Sequence, residues 1–143
     1  GCVATSWLRR DFGDKLPSDV FREHSLACYV TDKTSLKLRY EIGIDIIAWE
    51  CDYPHSDCFW PDAPEKVLAE LNAAGASDSD INKITWENSC RFFSWDPFAR
   101  TPRTEASVRA LRAKGADVDV SIRSRAEWAR RYAQKHLAES VSR

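Results

Sequence analysis

Residues 44–49, I-D-I-I-A-W, are β-branched and nearly continuous in apolar character, and this run constrains the fold more than any other stretch. A half-buried strand alternates polar and apolar residues, whereas one that is apolar throughout is covered on both faces, as in a parallel sheet. Leu26 to Val30 reads as a second short buried strand, closed by Thr31-Asp32. Between the two, Ser35 to Ile42 places Leu36, Tyr40 and the pair Leu38/Ile42 at helical spacing, and Gly43 supplies the stop. Residues 26–52 therefore predict strand, helix, strand. That is a short βαβ unit, with parallel strands and a right-handed crossover.

The stretch from Cys51 to Pro64 is rich in Pro, Asp and aromatic residues and has no helical period. It is a loop at the carboxyl end of a parallel strand, where α/β folds place their chemistry. Helices dominate afterwards. Pro64 opens one whose stripe is Val67, Leu68 and Leu71, ending at Gly75. Ser77 and Asp80 resemble a capping box, and the helix they open carries Ile81, Ile84, Asn88 and Phe92 on one face until Asp96-Pro97 breaks it. Glu105 to Lys114 predicts a further helix with Val108 and Leu111, and Val118 and Val120 a short extended piece. Ser124 would cap a last helix carrying Trp128, Tyr132 and Leu137. Near the start, Trp7 and Leu8 suggest a short helical face, and Phe21 to His24 a helical turn. The expected layout is a lead-in segment over 1–25, strands and site loop over 26–62, packing helices over 63–96 and a basic helical tail over 97–143.

A chain of 143 residues is one domain or part of one. It contains no methionine, which points either to a removed initiator or to a piece of something longer. No apolar run approaches the ~18 residues of a membrane span, so no membrane role is expected. Net charge is −1, but residues 97–143 hold 11 Lys/Arg against 5 Asp/Glu, while the first 96 hold 10 against 17. A basic tail on an acidic body can mark a nucleic-acid or lipid contact. A solvated helical face is the commoner cause, so no specific nucleic-acid partner is expected. The five cysteines have no framework spacing, and no apolar run near Gly1 reads as the core of a secretory signal. Free thiols in a reducing, cytoplasmic compartment are expected. Gly1-Cys2 would suit lipid attachment after a lost methionine, although so short a pattern arises readily by chance.

Asp52 lies just past the buried strand, in a loop stiffened by Pro54. A carboxylate there can bind a divalent metal or take a proton from a metal-bound water. His55, three residues on, can ligate, donate to a substrate or orient Asp52. The plainer alternatives are that Asp52 caps the turn and His55 hydrogen-bonds the loop. A zinc knuckle from Cys51, His55 and Cys58, with Asp57, is a further alternative, but the chain has no C-x2-C pair and no fourth matching ligand nearby.

Ile44 to Pro61 (I-D-I-I-A-W-E-C-D-Y-P-H-S-D-C-F-W-P) resembles the last barrel strand and following loop of the amidohydrolase-related metal-dependent hydrolases, relatives of aminocarboxymuconate semialdehyde decarboxylase. Ile81 to Phe93, Asp96-Pro97-Phe98, Asp14 to Ser18 and Phe21 to His24 are similar to neighbouring segments of that family, so the resemblance covers roughly residues 12–122. It implies an α/β fold, the last part of a (β/α)8 TIM-type barrel followed by C-terminal helices. It also implies a divalent metal, typically zinc, used for hydrolysis or decarboxylation of a small organic molecule. The aspartate matching Asp52 would sit near the metal and handle the proton of the bound water. Glu50-Cys51 replaces the family's commoner Gly-Ser, and Trp86 stands where a histidine is usual.

The family binds metal through a His-x-His and later histidines, whereas this chain has only His24, His55 and His136. A full barrel takes about 250 residues. The expectation is an incomplete barrel whose chain by itself holds no metal and is inactive, with Asp52 and His55 as catalytic residues and Asp52 as the metal carboxylate in the complete enzyme. A non-catalytic remnant acting through protein contacts is the alternative, with self-association covering exposed strand edges. A basic-tailed nucleic-acid-binding module ranks third, because Trp128 and Tyr132 are thin provision for base stacking.

Overall fold

Ala27 lies opposite Ile47, Cys28 opposite Ala48 and Tyr29 opposite Trp49, in a parallel pair formed by β1 (Ala27–Tyr29) and β2 (Ile47–Trp49). The computed structural model describes residues 12–121, 126–127 and 129–134. Trp7, Leu8, Cys2, Ser124, Trp128, His136 and Leu137 lie outside that set. Helix α1 (Pro17–His24) precedes β1, and α2 (Lys33–Lys37) and α3 (Arg39–Ile42) connect the strands. After the site loop come α4 (Ala63–Ala73), α5 (Asp78–Asn82), a π-helical turn over Lys83–Glu87, α6 (Asn88–Phe92) and α7 (Val108–Lys114). Among the described residues the fold is thus mixed α/β, with two parallel strands in an open sheet. The chain divides into two compact units, Gly1–Ala113 and Lys114–Arg143.

The expected strand over 44–49 is half as long as its apolar run. Ile47 and Ala48 are buried on both faces, as continuous apolar character requires. Ile44–Ile46 instead forms a 3-10 turn, in which the Ile46 amide donates to the Gly43 carbonyl at 3.0 Å. β1 begins at Ala27, opposite Ile47, so earlier residues have no strand to pair with. Their polar groups are satisfied from one helical stretch. Asn88 Nδ2 donates to the carbonyls of Ile44 and Ile47, each at 2.8 Å, Arg91 donates to Asp45 O, and Lys83 pairs with the Asp45 carboxylate at 2.8 Å.

The expected helix over 35–42 breaks at Leu38 into α2 and α3. Asp32 caps α2, accepting from the amides of Thr34 and Ser35 at 2.9 Å each. Leu36 is buried, but Leu38 and Tyr40 are exposed and Arg39 is buried in their place. Arg39 donates to the carbonyls of Leu36 (2.9 Å), Ala74 (3.2 Å) and Gly75 (3.1 Å), and its Nε lies 3.2 Å from Asp80 Oδ2. The Tyr40 hydroxyl donates to the same oxygen at 2.7 Å. A cation in this position overrides the helical stripe because it ties α3 to the end of α4 and the start of α5.

α4 starts as expected and buries Ala63, Val67 and Leu71, though Leu68 is exposed. The Ser77/Asp80 capping box forms. The single helix expected from Ile81 to about Trp95 is interrupted by the π turn, where the Asn88 amide donates to Lys83 O, five residues back. An extra residue in the turn rotates the next helical segment by about 100°. Ile84 and Asn88 are buried, but Phe92 is exposed rather than on their face. Val108 and Leu111 are likewise exposed, and Val118 and Val120 form no strand. In the second unit, residues 126–127 and 129–134 are helical, and Arg131 pairs with Asp119 at 3.6 Å.

Leu36, Ile47, Val67, Leu71 and Ile84 form the core, with Tyr29, Ile42, Ile44, Trp49 and Ile81 packed against it. The Tyr29 hydroxyl is buried without a hydrogen-bond partner among the described residues. Burial, reinforced by the charges of Glu70 and Asp32, pushes its pKa up. Tyr29→Phe keeps the ring and removes the orphaned hydroxyl, so it should leave stability unchanged or raise it by about 1 kcal/mol. Thermal melting checks this, and a clear fall in melting temperature would show that the hydroxyl has a partner.

Candidate functional site

The parallel ladder runs one residue past β2, with the Glu50 amide donating to Tyr29 O at 2.9 Å. The chain therefore leaves the sheet in register, and Asp52 emerges at its carboxyl rim. Asp52 has φ 53°, in the left-handed region that aspartate tolerates better than most residues. That conformation reverses the chain. The His55 amide closes the turn onto Asp52 O at 2.9 Å, and His55 Nδ1 lies 3.0 Å from Asp52 Oδ2. The Cys58 amide then donates to His55 O at 3.3 Å. Aromatic rings of the loop make two further contacts. Tyr53 packs against Trp60 with ring centroids 5.4 Å apart, and Lys66 Nζ lies 4.8 Å from the centre of the Phe59 ring.

The two residues singled out from the sequence, Asp52 and His55, thus come together at the strand end. Asp57 joins them, and one donor atom from each lies within 4.8 Å of the others. From the sequence, Asp57 enters only as an adjunct to a cysteine–histidine knuckle. Its signal is the D-Y-P-H-S-D spacing, in which one tight turn folds the later residues back on the first. The knuckle itself does not form. Among the described residues, no group of three converging ligand side chains contains Cys51 or Cys58, because the turn delivers His55 to the Asp52 carboxylate. His24 ends α1 and belongs to no such group.

The site is open. The Asp52 side chain is 38% exposed and that of His55 71%. The Cys28 thiol, exposed on β1, has its pKa raised by partial desolvation and by the nearby Glu50 carboxylate. Trp86 is committed elsewhere. Its indole N–H donates to Asn82 Oδ1 at 3.2 Å, its ring meets Phe98 edge-on at 5.5 Å, and the Arg103 guanidinium lies 5.3 Å from the ring centre.

Two carboxylates and one imidazole are donors of the kind a divalent cation takes, and three protein ligands match the number found in catalytic zinc sites. They fit such an ion in type and number. All three come from one solvent-facing loop, which leaves little to exclude water or hold the donors in place. Zinc should therefore bind weakly and be lost on dialysis of the isolated chain, as atomic absorption would show. Stoichiometric zinc surviving dialysis would contradict this. No protein-family model matches the chain, and no curated protein matches it.

Proposed function

We propose that this chain is the C-terminal portion of a metal-dependent enzyme of the amidohydrolase type, a hydrolase or decarboxylase acting on a small organic molecule. The observation that carries the reading is Asp52. It sits at the carboxyl end of a buried parallel strand, in a left-handed turn, with His55 3.0 Å from its carboxylate. The sequence resemblance over residues 12–122 supports the same assignment. In the complete barrel, a divalent metal, zinc by its usual preference for such donors, would supply Lewis acidity beside this rim. Asp52, with His55 and Asp57 beside it, is the group on this chain that would hold it.

The rest of the chemistry belongs to the residues themselves. Asp52 accepts the proton of the attacking water, or returns one to the carbon left by decarboxylation. His55 holds the carboxylate in one orientation through the Nδ1 contact. The Tyr53 and Trp60 rings pack on each other within the same loop. This chain contains no His-x-His, so on this reading the remaining ligands come from other strands of the barrel, and the chain alone should be inactive. A His-x-His encoded directly upstream of Gly1 is the expected finding, and an unrelated upstream segment would sink the reading. The free thiols of Cys28, Cys51, Cys58 and Cys90 suit a reducing, cytoplasmic setting. Among the described residues, no helix is long and apolar enough to cross a membrane.

A second reading, a non-catalytic chain acting through protein contacts, draws on the open sheet and on exposed Phe92, Phe93 and Trp95. An oligomer that buries these rings and the strand edges is the form it would take. The tail offers less to nucleic acid. Arg112 makes two bonds to the Glu65 carboxylate and one to Pro61 O, and Arg103 lies over Trp86 and Phe98. DNA should bind weakly, without sequence preference, and dissociate as salt rises. Fluorescence anisotropy across a salt series checks this, and a specific, salt-resistant complex would overturn it.

A further inference from the structure

A cavity of about 450 Å³ lies between α2 and α4, on a surface that shares only the loop residue Phe59 with the neighbourhood of the Asp52 turn. Lys33 and Lys37 line it from successive turns of α2, and Lys66 from the first turns of α4. None of the three makes an ion pair among the described residues, although this protein pairs many of its other charges. One carboxylate, Glu70, shares the lining, and its Oε1 accepts a hydrogen bond from Thr31 Oγ1 at 3.0 Å. Counted by residue, three lysines and one carboxylate border the cavity, an excess of two positive charges around it.

The remaining wall is apolar. Lys66, Ala69, Glu70 and Ala73 follow the i, i+3, i+4, i+7 spacing of one helix face, while Ala63, Val67 and Leu71 point their own face into the core. The two alanines leave a shallow floor, and the Phe59 ring closes one end with Lys66 Nζ 4.8 Å from its centre. The volume falls within the range of small-molecule sites, about 300–1,000 Å³.

The geometry points to a binding site for a phosphate monoester with an aromatic or aliphatic body. A phosphate monoester carries about −1.5 to −2 at pH 7, which the excess of two matches. Lysines serve as point charges for phosphate oxygens and donate charge-assisted hydrogen bonds. A carboxylate ligand would neutralise only one of the two charges. The organic portion rests on Phe59 and the alanine floor. This site is independent of the chemistry proposed at Asp52.

Amide chemical-shift titration of the isotopically labelled full chain tests it, with phenyl phosphate, inorganic phosphate and phenol as probes. Phenyl phosphate should give saturable shifts confined to residues 31–37 and 59–74, inorganic phosphate weaker ones, and phenol none. Lys33→Ala combined with Lys66→Ala should weaken phenyl phosphate binding by about tenfold or more, the scale of one lost charged hydrogen bond. Both lysines are exposed, so this variant should fold, as circular dichroism would verify. Phe59→Ala should abolish the preference for phenyl phosphate over inorganic phosphate. Shifts scattered over Lys15 and Lys83, unchanged affinity in the double variant, or equal binding of phenol would each overturn the proposal.

Discussion

Replacing Asp52 by asparagine should lower turnover of the proposed complete enzyme by about 10²–10⁴, the usual scale for a positioned acid–base group. Stability should change by less than about 1 kcal/mol, because no buried volume is lost. The structure explains why asparagine is the informative substitution. Asp52 adopts φ 53°, which asparagine accepts as readily as aspartate, and the backbone bond from the His55 amide to Asp52 O survives the change. Only the charge and its contact with His55 Nδ1 are altered. Asp52→Ala lacks a side chain suited to the left-handed region and should lose about 1–2 kcal/mol in addition. Melting temperature and turnover measured on the same variants separate the roles. A destabilised but fully active Asp52→Asn would end the catalytic assignment and leave Asp52 as a turn residue.

The largest loss of stability should come from a residue with no catalytic part. Asp80→Ala removes the oxygen that accepts from Arg39 Nε at 3.2 Å, the Tyr40 hydroxyl at 2.7 Å and the Ser77 amide at 3.2 Å. It leaves the Arg39 guanidinium buried and uncompensated, which typically costs about 3–5 kcal/mol. Total stability for such domains is about 5–15 kcal/mol, so a fall in melting temperature of about 10 °C or more is expected. Replacing both partners with apolar residues of similar size should cost less than removing either alone, since no buried charge is then stranded. A double variant as unstable as the sum of the singles would show that the pair acts independently of charge.

Acid should weaken the same contact. Burial raises the Asp80 pKa, but the bonds from Tyr40, Ser77 and Arg39 outweigh it and hold the carboxyl below its ordinary value. A group whose folded pKa is depressed contributes stability above its unfolded pKa and loses it as pH falls through the folded one. The contribution should therefore be complete near neutrality and fade from about pH 4 downward. Urea melts at pH 7 and pH 3 should converge for wild type and Asp80→Asn. A constant gap across that range would rule out the ionised carboxylate as the cause.

Much of the local structure can be read from residues alone. The apolar run of Ile47 and Ala48, the start of α4 at Pro64 and the Ser77/Asp80 box all depend on neighbours a few positions away, and all form where the sequence puts them. Asp52 and His55 are legible for the same reason, because a four-residue turn joins them. Leu38, Tyr40, Leu68 and Phe92 depart from the positions their spacing predicts. Each lies on an apolar helical stripe, but a stripe states only which residues could share a face, not whether a partner arrives to cover it.

By itself the sequence determined the order of strand, helix and strand, the loop that carries the carboxylates, and the caps that begin its helices. Tertiary structure decided that β2 starts at Ile47, since pairing ends where β1 has no more residues to offer. It decided that Arg39 is an interior residue, because it satisfies carbonyls more than 30 positions away in the chain, and it gave Asn88, already on the face of Ile84 by its spacing, the carbonyls of Ile44 and Ile47 as partners. It also gathered Lys33, Lys37 and Lys66 around one cavity from two separate helices. The physical reason is common to all three. Hydrogen-bond and charge partners brought together by packing have no spacing rule, so short-range periodicity carries no trace of them.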